Sequence, residues 1–306
     1  MSLLVVGSVA FDAIETPFGK TDKIIGGAAT YIALCSTYFT KNVNLVAVVG
    51  GDFPKSDIKL MEDHGVNTKG LQIKEDEKSF FWSGKYHNDM NSRDTLVTEL
   101  NVLEHFDPII PASYQNSEYV MLGNLAPTVQ KQVIERMDKR PKLIVMDTMN
   151  FWMDIMMDQL KETIALVDVL TINDEEARQL SGEYSLVKAA KVILAMGPKT
   201  LIIKKGEHGA LLFDNDRMFF APALPLEEVF DPTGAGDTFA AGFIAHLAKT
   251  DDISFDNMKR GIIYGSAMAS FCVEKFGTER LVNLSESEIE DRVQQFVDLA
   301  HFDIEA

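Results

Sequence analysis

The stretch DPTGAGDTFAAGF, residues 231–243, has the residue types that a phosphate-binding turn needs. Gly234, Ala235 and Gly236 precede an apolar helical pattern, so free backbone N–H groups at the helix start would point at an anion. Asp237 then places a carboxylate beside that anion site. A carboxylate there fits a general base that takes the proton from an alcohol while the amides hold the phosphoryl group under attack. The alternative, an ordinary acid in the first helical turn, stays open.

Two other glycine motifs fit the sequence poorly. FGKT (18–21) resembles the end of a P-loop, but Ile14 stands where its first glycine belongs. GAGDTF resembles a dinucleotide fingerprint, but Phe239 stands in place of the third glycine. Neither a P-loop nor a dinucleotide site is therefore favoured.

Short apolar runs alternate with helical patterns along the chain. A parallel sheet covered by helices on both faces is the expected result, because its strands are apolar on both sides. The predicted strands are 3–7, 44–50, 119–124, 143–148, 168–173 and 200–206. The predicted helices are 28–40, 54–64, 128–138, 154–166, 174–196 with a break near Gly182, 236–248, 254–274 and 286–299.

Residues 70–101 interrupt this alternation. They have period-two patterning, turn residues and several aromatic side chains, but no helical pattern. We predict a small antiparallel flap, to which the extended stretch 11–25 adds. In an open α/β sheet ligands bind beyond the carboxyl ends of the strands, so such a flap would form a lid that excludes water.

The composition excludes several classes of function. The net charge is −17, from 46 acidic and 29 basic residues among 306, and such a chain is repelled by nucleic acid and anionic membranes. It has no signal peptide pattern and no apolar run of membrane-spanning length, so we expect a cytoplasmic protein. Two cysteines in apolar stretches and six scattered histidines indicate neither a disulfide framework nor a histidine-built metal site.

Together with GGAATYIAL (26–34) and INDEEA (172–177), the opening motif resembles the ribokinase, or PfkB carbohydrate kinase, family. The resemblance extends over essentially the whole chain, from VVGSVAFD to FGTERL. It implies a single ribokinase-like domain over residues 1–306, an α/β/α three-layer sandwich with a mostly parallel central sheet and a small β lid. It also implies ATP and Mg²⁺ as cofactors, with K⁺ as a further candidate.

The resemblance assigns roles to individual residues. Catalysis would fall to Asp237 with Gly234, Ala235 and Gly236 as the anion hole, and nucleotide binding to Lys204, Gly206, Gly209 and Thr233. Substrate binding would fall to Asp12, Gly26, Gly27, Asn150, Trp82 and Asn88. Asn173 and Glu176 would position Mg²⁺ through water, and Asp231 would help to hold a monovalent cation. On spacing alone, Asn173 is also compatible with an ordinary helix N-cap.

Two departures from the family bear on the phosphate acceptor. Tyr31 stands where sugar kinases of this group often carry asparagine, and Trp152 stands where many members carry arginine. The missing arginine disfavours a substrate that is already phosphorylated, although Arg93 at the lid edge could reach a phosphate.

We therefore expect a kinase acting on a hydroxyl of a small neutral sugar. A nucleoside is the alternative, since the lid aromatics, which include Phe81, Trp82 and Tyr86, can stack on a sugar ring or on a base. A ligand sensor without turnover and a nicotinamide-dependent oxidoreductase are less favoured. A homodimer formed through the lid is a family expectation only.

Overall fold

The computed structural model describes residues 1–301, so the last five residues of the predicted domain lie outside it. The strands are β1 (Leu3–Val6), β2 (Ala10–Thr16), β3 (Gly19–Lys20), β4 (Ile24–Gly26), β5 (Val43–Gly50), β6 (Val66–Lys74), β7 (Phe80–Tyr86), β8 (Arg93–Glu99), β9 (Tyr119–Leu122), β10 (Leu143–Asp147), β11 (Val169–Asn173), β12 (Thr200–Lys204), β13 (Ala210–Asp214) and β14 (Arg217–Ala221). The helices are α1 (Ala28–Ser36), α2 (Lys55–Asp63), α3 (Pro127–Glu135), α4 (Asn150–Ile155), α5 (Met157–Ile164), α6 (Asp174–Ser181), α7 (Leu186–Leu194), α8 (Ala235–Thr250), α9 (Phe255–Cys272) and α10 (Glu286–Ala300).

A nine-stranded sheet forms the centre of the described chain. Its strand order is β14-β13-β12-β11-β10-β9-β1-β5-β6. The pairs from β12 to β6 are parallel, whereas β13 and β14 are antiparallel and close one edge. The sequence patterns did not predict this edge hairpin, in which β13 is mostly buried and β14 is mostly exposed.

Two apolar clusters cover the two faces of the central sheet. One face packs against α1, α8 and α9, and the other packs against α3, α5, α6 and α7. Successive residues of β1 alternate between the clusters, with Leu3 and Val5 in the first and Leu4 and Val6 in the second. Burial on both faces is what the apolar runs required, and the predicted three-layer α/β/α architecture is confirmed.

Helices α8 and α9 approach each other closely. A Cβ on Gly242 would lie 2.9 Å from the Cα of Gly265, and one on Gly265 would lie 2.6 Å from the Phe239 carbonyl oxygen. Neither position tolerates a larger residue without movement of the backbone. The glycines therefore fix the position of α8, whose first turn carries the DPTGAGD motif.

A second, smaller sheet contains β2, β3, β4, β7 and β8. The predicted lid boundary at residue 70 is wrong, because residues up to Lys74 continue β6 in the central sheet. The predicted antiparallel pairing is also incomplete, because β2 and β7 pair in parallel while β7 and β8 are antiparallel. Since β1 and β6 run in the same direction, the chain leaves both at the same edge of the central sheet and enters β2 and β7 in parallel.

The strand order reverses beside β1. The chain passes from β1 to β5 and β6 on one side, and later to β9, β10, β11 and β12 on the other. Such a switch point opens a crevice at the carboxyl ends of the strands, where ligands bind in open α/β sheets. Within residues 1–301 none of the helices combines the length and apolarity needed to cross a bilayer.

Candidate active site

The turn before α8 has the backbone that an anion hole requires. Gly234 is the N-cap, with φ of 76°, and no side chain caps the helix. A Cβ on Gly234 would lie 2.4 Å from the ring of Tyr31, so both conformation and space demand glycine. The uncapped N–H groups and the positive end of the helix dipole can therefore bind an anion.

Asp237 lies in the first turn of α8. Burial, and then the charge of Asp147, raise the pKa of Asp237 to about 7, while Lys204 and Arg93 oppose the rise. A carboxyl group with a pKa near the working pH can accept a proton in the transition state and release it afterwards. The raised pKa supports the general-base interpretation, which stays a prediction beside the helix-start alternative.

The carboxyl ends of β10, β11 and β12 bring further charged groups together. Lys204 Nζ lies 2.6 Å from Asp147 Oδ2 in a buried ion pair, and Asn173 is the cross-strand neighbour of Lys204. A Cβ on Gly236 would lie 3.1 Å from Lys204 Nζ, which places the ammonium group directly beside the anion-hole turn. Lys204 thus lies near the phosphate end of any nucleotide held there.

Asn173 and Glu176 form a capping box at the start of α6. Asn173 Oδ1 accepts from the Glu176 backbone N–H at 2.8 Å, and Glu176 Oε2 accepts from the Asn173 backbone N–H at 2.7 Å. The N-cap interpretation of Asn173 is therefore correct as far as its oxygen is concerned. Its amide nitrogen and the second Glu176 oxygen take no part in the box.

Glu176 also has the electrostatics of a cation site. Burial and the charge of Asp147 raise the pKa of Glu176 to about 7, with Lys204 acting in the opposite direction. The charges of Asp147, Glu176 and Asp237 all act on Lys204, and three carboxyl groups therefore face two cations, since Arg93 also acts on Glu176 and Asp237. Residues 1–301 contain no group of three or more His, Cys, Asp or Glu side chains arranged to hold a metal directly. Oxygen donors in this arrangement fit Mg²⁺ held through its own waters.

Asp231 braces the loop behind the anion hole. The side chain is fully buried, Oδ1 accepts from the Thr233 N–H at 2.9 Å, and Oδ2 accepts from the Gly277 N–H at 2.8 Å. Both oxygens are thus engaged by backbone donors. This second bond joins Asp231 to the Gly277 loop, while the role of Asp231 toward a monovalent cation stays a prediction.

Asp12 in β2 faces the same crevice. It is 4% exposed, and burial raises the pKa of Asp12 to about 7, whereas a backbone hydrogen bond from Gly27 lowers it. A Cβ on Gly26 would lie 1.9 Å from Asp12 Oδ2, and Gly27 has φ of +87° with Ser8 O 2.5 Å from the position of a Cβ. The double glycine therefore makes room for the Asp12 carboxylate as well as for a sharp turn into α1.

One face of the lid strand β7 carries Trp82, Gly84 and Tyr86. Trp82 is the cross-strand partner of Asp12, so the two side chains stand side by side. A Cβ on Gly84 would lie 2.2 Å from Trp82 Cη2, so the indole lies flat along the strand over this glycine. Phe81 points to the opposite face and packs with the core.

The lid is anchored to the main body on both sides of the site. Thr233 Oγ1, at the anion-hole turn, donates to Tyr86 Oη at 3.2 Å. At the lid tip, Asn91 Nδ2 donates to Glu207 Oε1 at 3.4 Å, and a Cβ on Gly206 would lie 2.5 Å from Asn91 Oδ1. The predicted nucleotide turn at Gly206 is therefore in contact with the lid.

Three further residues that were predicted to bind ligands make packing or hydrogen-bonding contacts within the protein or lie at the lid tip. Gly209 has φ of +82°, and a Cβ there would lie 2.1 Å from Ala221 O, so packing against β14 already demands glycine. Asn150 Nδ2 donates to Gln179 Oε1 at 2.6 Å and links α4 to α6. Asn88 lies at the exposed lid tip and lines a cavity of about 560 Å³. Ligand contacts of all three stay predictions.

Asp147, Asn91 and the anchoring role of Tyr86 were not predicted from the sequence. Asp147 had a usable signal, since it is the acid that ends the apolar run LIVMD, and acids at strand ends reach the crevice of an α/β sheet. The contacts of Tyr86 and Asn91 join residues more than a hundred positions apart. No local sequence pattern predicts contacts between residues so far apart.

Comparison with protein families matches residues 2–283 to the pfkB family carbohydrate kinases. The chain belongs to the PfkB carbohydrate kinase family. A cytidine kinase of Thermococcus kodakarensis is 31% identical over 255 residues, which cover 81% of this chain and 89% of that protein. The predicted family is thus confirmed, and with it an ATP-dependent kinase.

Solved structures share the fold of this PfkB kinase. The nucleoside kinase of Methanocaldococcus jannaschii, an archaeal member of the ribokinase family, has a TM-score of 0.77 at 22% identity, with 96% of this chain and 99% of that chain covered. An E. coli protein described as a ribokinase II, in complex with ATP and Mg²⁺, has a TM-score of 0.78 at 20% identity, with 96% and 99% covered. At these identities the likeness establishes the fold.

Proposed function

We propose that this PfkB kinase transfers the γ-phosphoryl group of ATP to a hydroxyl of a nucleoside. The observation that carries the proposal is the pairing of Trp82 with Asp12 on one face of the lid. A carboxylate can accept hydrogen bonds from two adjacent ribose hydroxyls, and an indole beside it offers a flat surface for the base. The cytidine kinase of T. kodakarensis makes cytidine the first nucleoside to test. A bare sugar, the first expectation from sequence, is the alternative outcome.

The residues of this chain would divide the reaction between them. Asp12 would hold the acceptor so that its reacting hydroxyl faces Asp237, which takes the proton as the new O–P bond forms. The N–H groups of the Gly234–Gly236 turn and Lys204 would stabilise the charge on the phosphoryl group. Asn173 and Glu176 would hold Mg²⁺ through water, and Mg²⁺ when bound neutralises phosphate charge. The lid excludes water that would otherwise accept the phosphoryl group.

Replacing Trp82 by leucine tests the nucleoside assignment. Stacking of a base on an aromatic ring contributes about 1–3 kcal/mol, so the KM for cytidine is expected to rise by roughly 5- to 150-fold. Turnover of free ribose, which lacks the base, should change far less. The measurement is a steady-state comparison of cytidine, a purine nucleoside, ribose and a hexose with saturating ATP and Mg²⁺.

A binding experiment supplies the control. The chain has two tryptophans, and Trp152 donates to Asn124 Oδ1 at 2.9 Å outside the lid sheet. In a Trp152→Phe background Trp82 is the single indole, and a stacked base should quench its fluorescence in a saturable way. An equal loss for ribose and cytidine in Trp82→Leu, or wild-type turnover of sugars without nucleosides, would contradict the nucleoside assignment.

Replacing Glu176 by glutamine tests the proposed magnesium site. Glutamine keeps an oxygen for the capping box but loses the charge, so the Mg²⁺ concentration for half-maximal activity is expected to rise about tenfold or more. Glu175→Gln is the matched control, because it removes an exposed neighbouring charge from the same helical turn in which Glu176 is buried. Superimposable Mg²⁺ titrations for the Glu176 and Glu175 variants would make Glu176 a helix cap only.

Activation by K⁺, a lid-mediated homodimer and a cytoplasmic location stay predictions. The exposed edge strand β8 leaves backbone groups available for pairing with a second copy.

A further inference from the structure

Tyr31 carries a buried hydroxyl group beside the anion-hole turn. The residue lies in α1, is 1% exposed, and its ring packs against Gly234 of the anion-hole turn. Within residues 1–301 its hydroxyl group makes no hydrogen bond. Buried polar groups nearly always find partners in folded proteins, so an unpaired hydroxyl beside a ligand site calls for an explanation.

The surroundings of this hydroxyl belong to the acceptor side of the crevice. Burial raises the pKa of Tyr31 well above its usual value, and the nearby ionisable groups of Asp12, Asp231, Cys272 and Tyr86 add to the effect. These groups come from β2, the loop before α8, α9 and β7. The ring lies beside the anion-hole turn, the charge of Asp12 is near enough to act on the hydroxyl, and the hydroxyl stays protonated and able to donate.

Asp12 creates a need for such a donor. An ionised carboxylate only accepts hydrogen bonds, so an acceptor hydroxyl that donates to Asp12 keeps its own lone pairs unsatisfied in a water-excluded site. The Tyr31 O–H group is a donor on the same side of the crevice. Its ring is already fixed by Gly234 and by the packing of α1, so little side-chain freedom is lost on binding.

We propose that the Tyr31 hydroxyl group binds the phosphate acceptor, donating a hydrogen bond to a ribose hydroxyl that Asp12 also holds. Tyr31 then acts as a specificity-determining residue that selects acceptors with a second hydroxyl beside the first. The identification of the acceptor group as a ribose rests on the proposed function. The contact itself needs only an acceptor with vicinal hydroxyls.

Tyr31→Phe separates this role from a structural one, because phenylalanine keeps the ring against Gly234. The acceptor KM is expected to rise about tenfold, while ATP affinity is unchanged. The melting temperature without ligands should stay the same or rise, because the variant loses an unpaired buried group. Tyr114→Phe is the matched control: Tyr114 is equally buried but donates to Asn67 O at 2.9 Å, so its loss should lower the melting temperature by about 2–4 °C without changing KM.

Deoxynucleosides then test which hydroxyl is involved. Wild-type protein should bind the 2′-deoxy or the 3′-deoxy analogue of its best nucleoside more weakly than the parent compound. In Tyr31→Phe one of these two penalties should shrink several-fold, because the tyrosine and the missing hydroxyl form one interaction and their losses are not additive.

The outcomes distinguish this inference from the proposed function. An unchanged acceptor KM in Tyr31→Phe overturns the inference, whatever happens to the melting temperature. If wild-type protein phosphorylates a sugar and no nucleoside, the nucleoside assignment fails, and the Tyr31→Phe comparison is made with that sugar. A tenfold rise in the sugar KM would then still support the contact of Tyr31 with an acceptor hydroxyl.

Discussion

Replacing Asp237 by asparagine is expected to lower kcat by about 10²- to 10⁴-fold, with ATP affinity nearly unchanged. Asparagine keeps the shape of the side chain but cannot take the proton of the attacking hydroxyl. Steady-state rates with saturating ATP, Mg²⁺ and acceptor measure the effect. A variant that keeps more than about a third of the wild-type kcat, far above the range for loss of a general base, would contradict the assignment of Asp237.

Asp256→Asn is the matched control, since Asp256 is also a first-turn acid but lies exposed on α9 and pairs with Lys259. Its kcat should equal that of wild type. Thermal unfolding without ligands checks that Asp237→Asn folds.

The pH dependence of stability gives a second test of Asp237. The folded-state pKa of Asp237, about 7, lies above its ordinary value of 3.8. The folded protein therefore binds more protons between these pH values and loses stability as pH rises through that window. The asparagine variant should therefore gain stability relative to wild type at pH 8 but not at pH 4.

Replacing Asp12 by asparagine is expected to raise the acceptor KM by about 10- to 100-fold, with a smaller effect on the KM for ATP. The reason is the loss of a charged group that can accept two hydrogen bonds, each stronger than a neutral one. Substrate positioning should also suffer, so kcat falls together with the rise in KM. Steady-state kinetics with varied acceptor at saturating ATP measure both quantities.

Glu15→Gln provides the comparison for Asp12. Glu15 lies on the same strand, but on the opposite face, where it forms an exposed ion pair with Lys85 at 2.6 Å. Exposed pairs contribute little, so the kinetics of this variant should match those of wild type. If Asp12→Asn and Glu15→Gln bind the acceptor equally well, Asp12 supports the Gly26–Gly27 turn and does not contact substrate.

Much of the fold followed from local sequence patterns. Runs such as LLVV and LIVMD have no polar side to expose, so they had to become inner strands of a sheet with two covered faces. The approximate position of the lid in the chain was predicted from the sequence, but its strand pairing and its first residue were not. Its mixed pairing and its start after Lys74 depend on where β6 ends against β5, and strand register is decided by partners distant in the chain.

The sequence by itself predicted the residues of the proposed phosphate end of the site. Gly234, Ala235, Gly236 and Asp237 are contiguous, so a glycine turn, a helix start and an acid beside it can be recognised as one local motif. The acceptor end was decided by the tertiary structure. The pairing of Trp82 with Asp12 arises between segments about seventy residues apart, and the ion pair of Asp147 with Lys204 joins the ends of two strands that are not neighbours in sequence. Raised carboxyl pKa values and an unpaired Tyr31 hydroxyl result from burial among these groups, and burial is a property that only the assembled chain possesses.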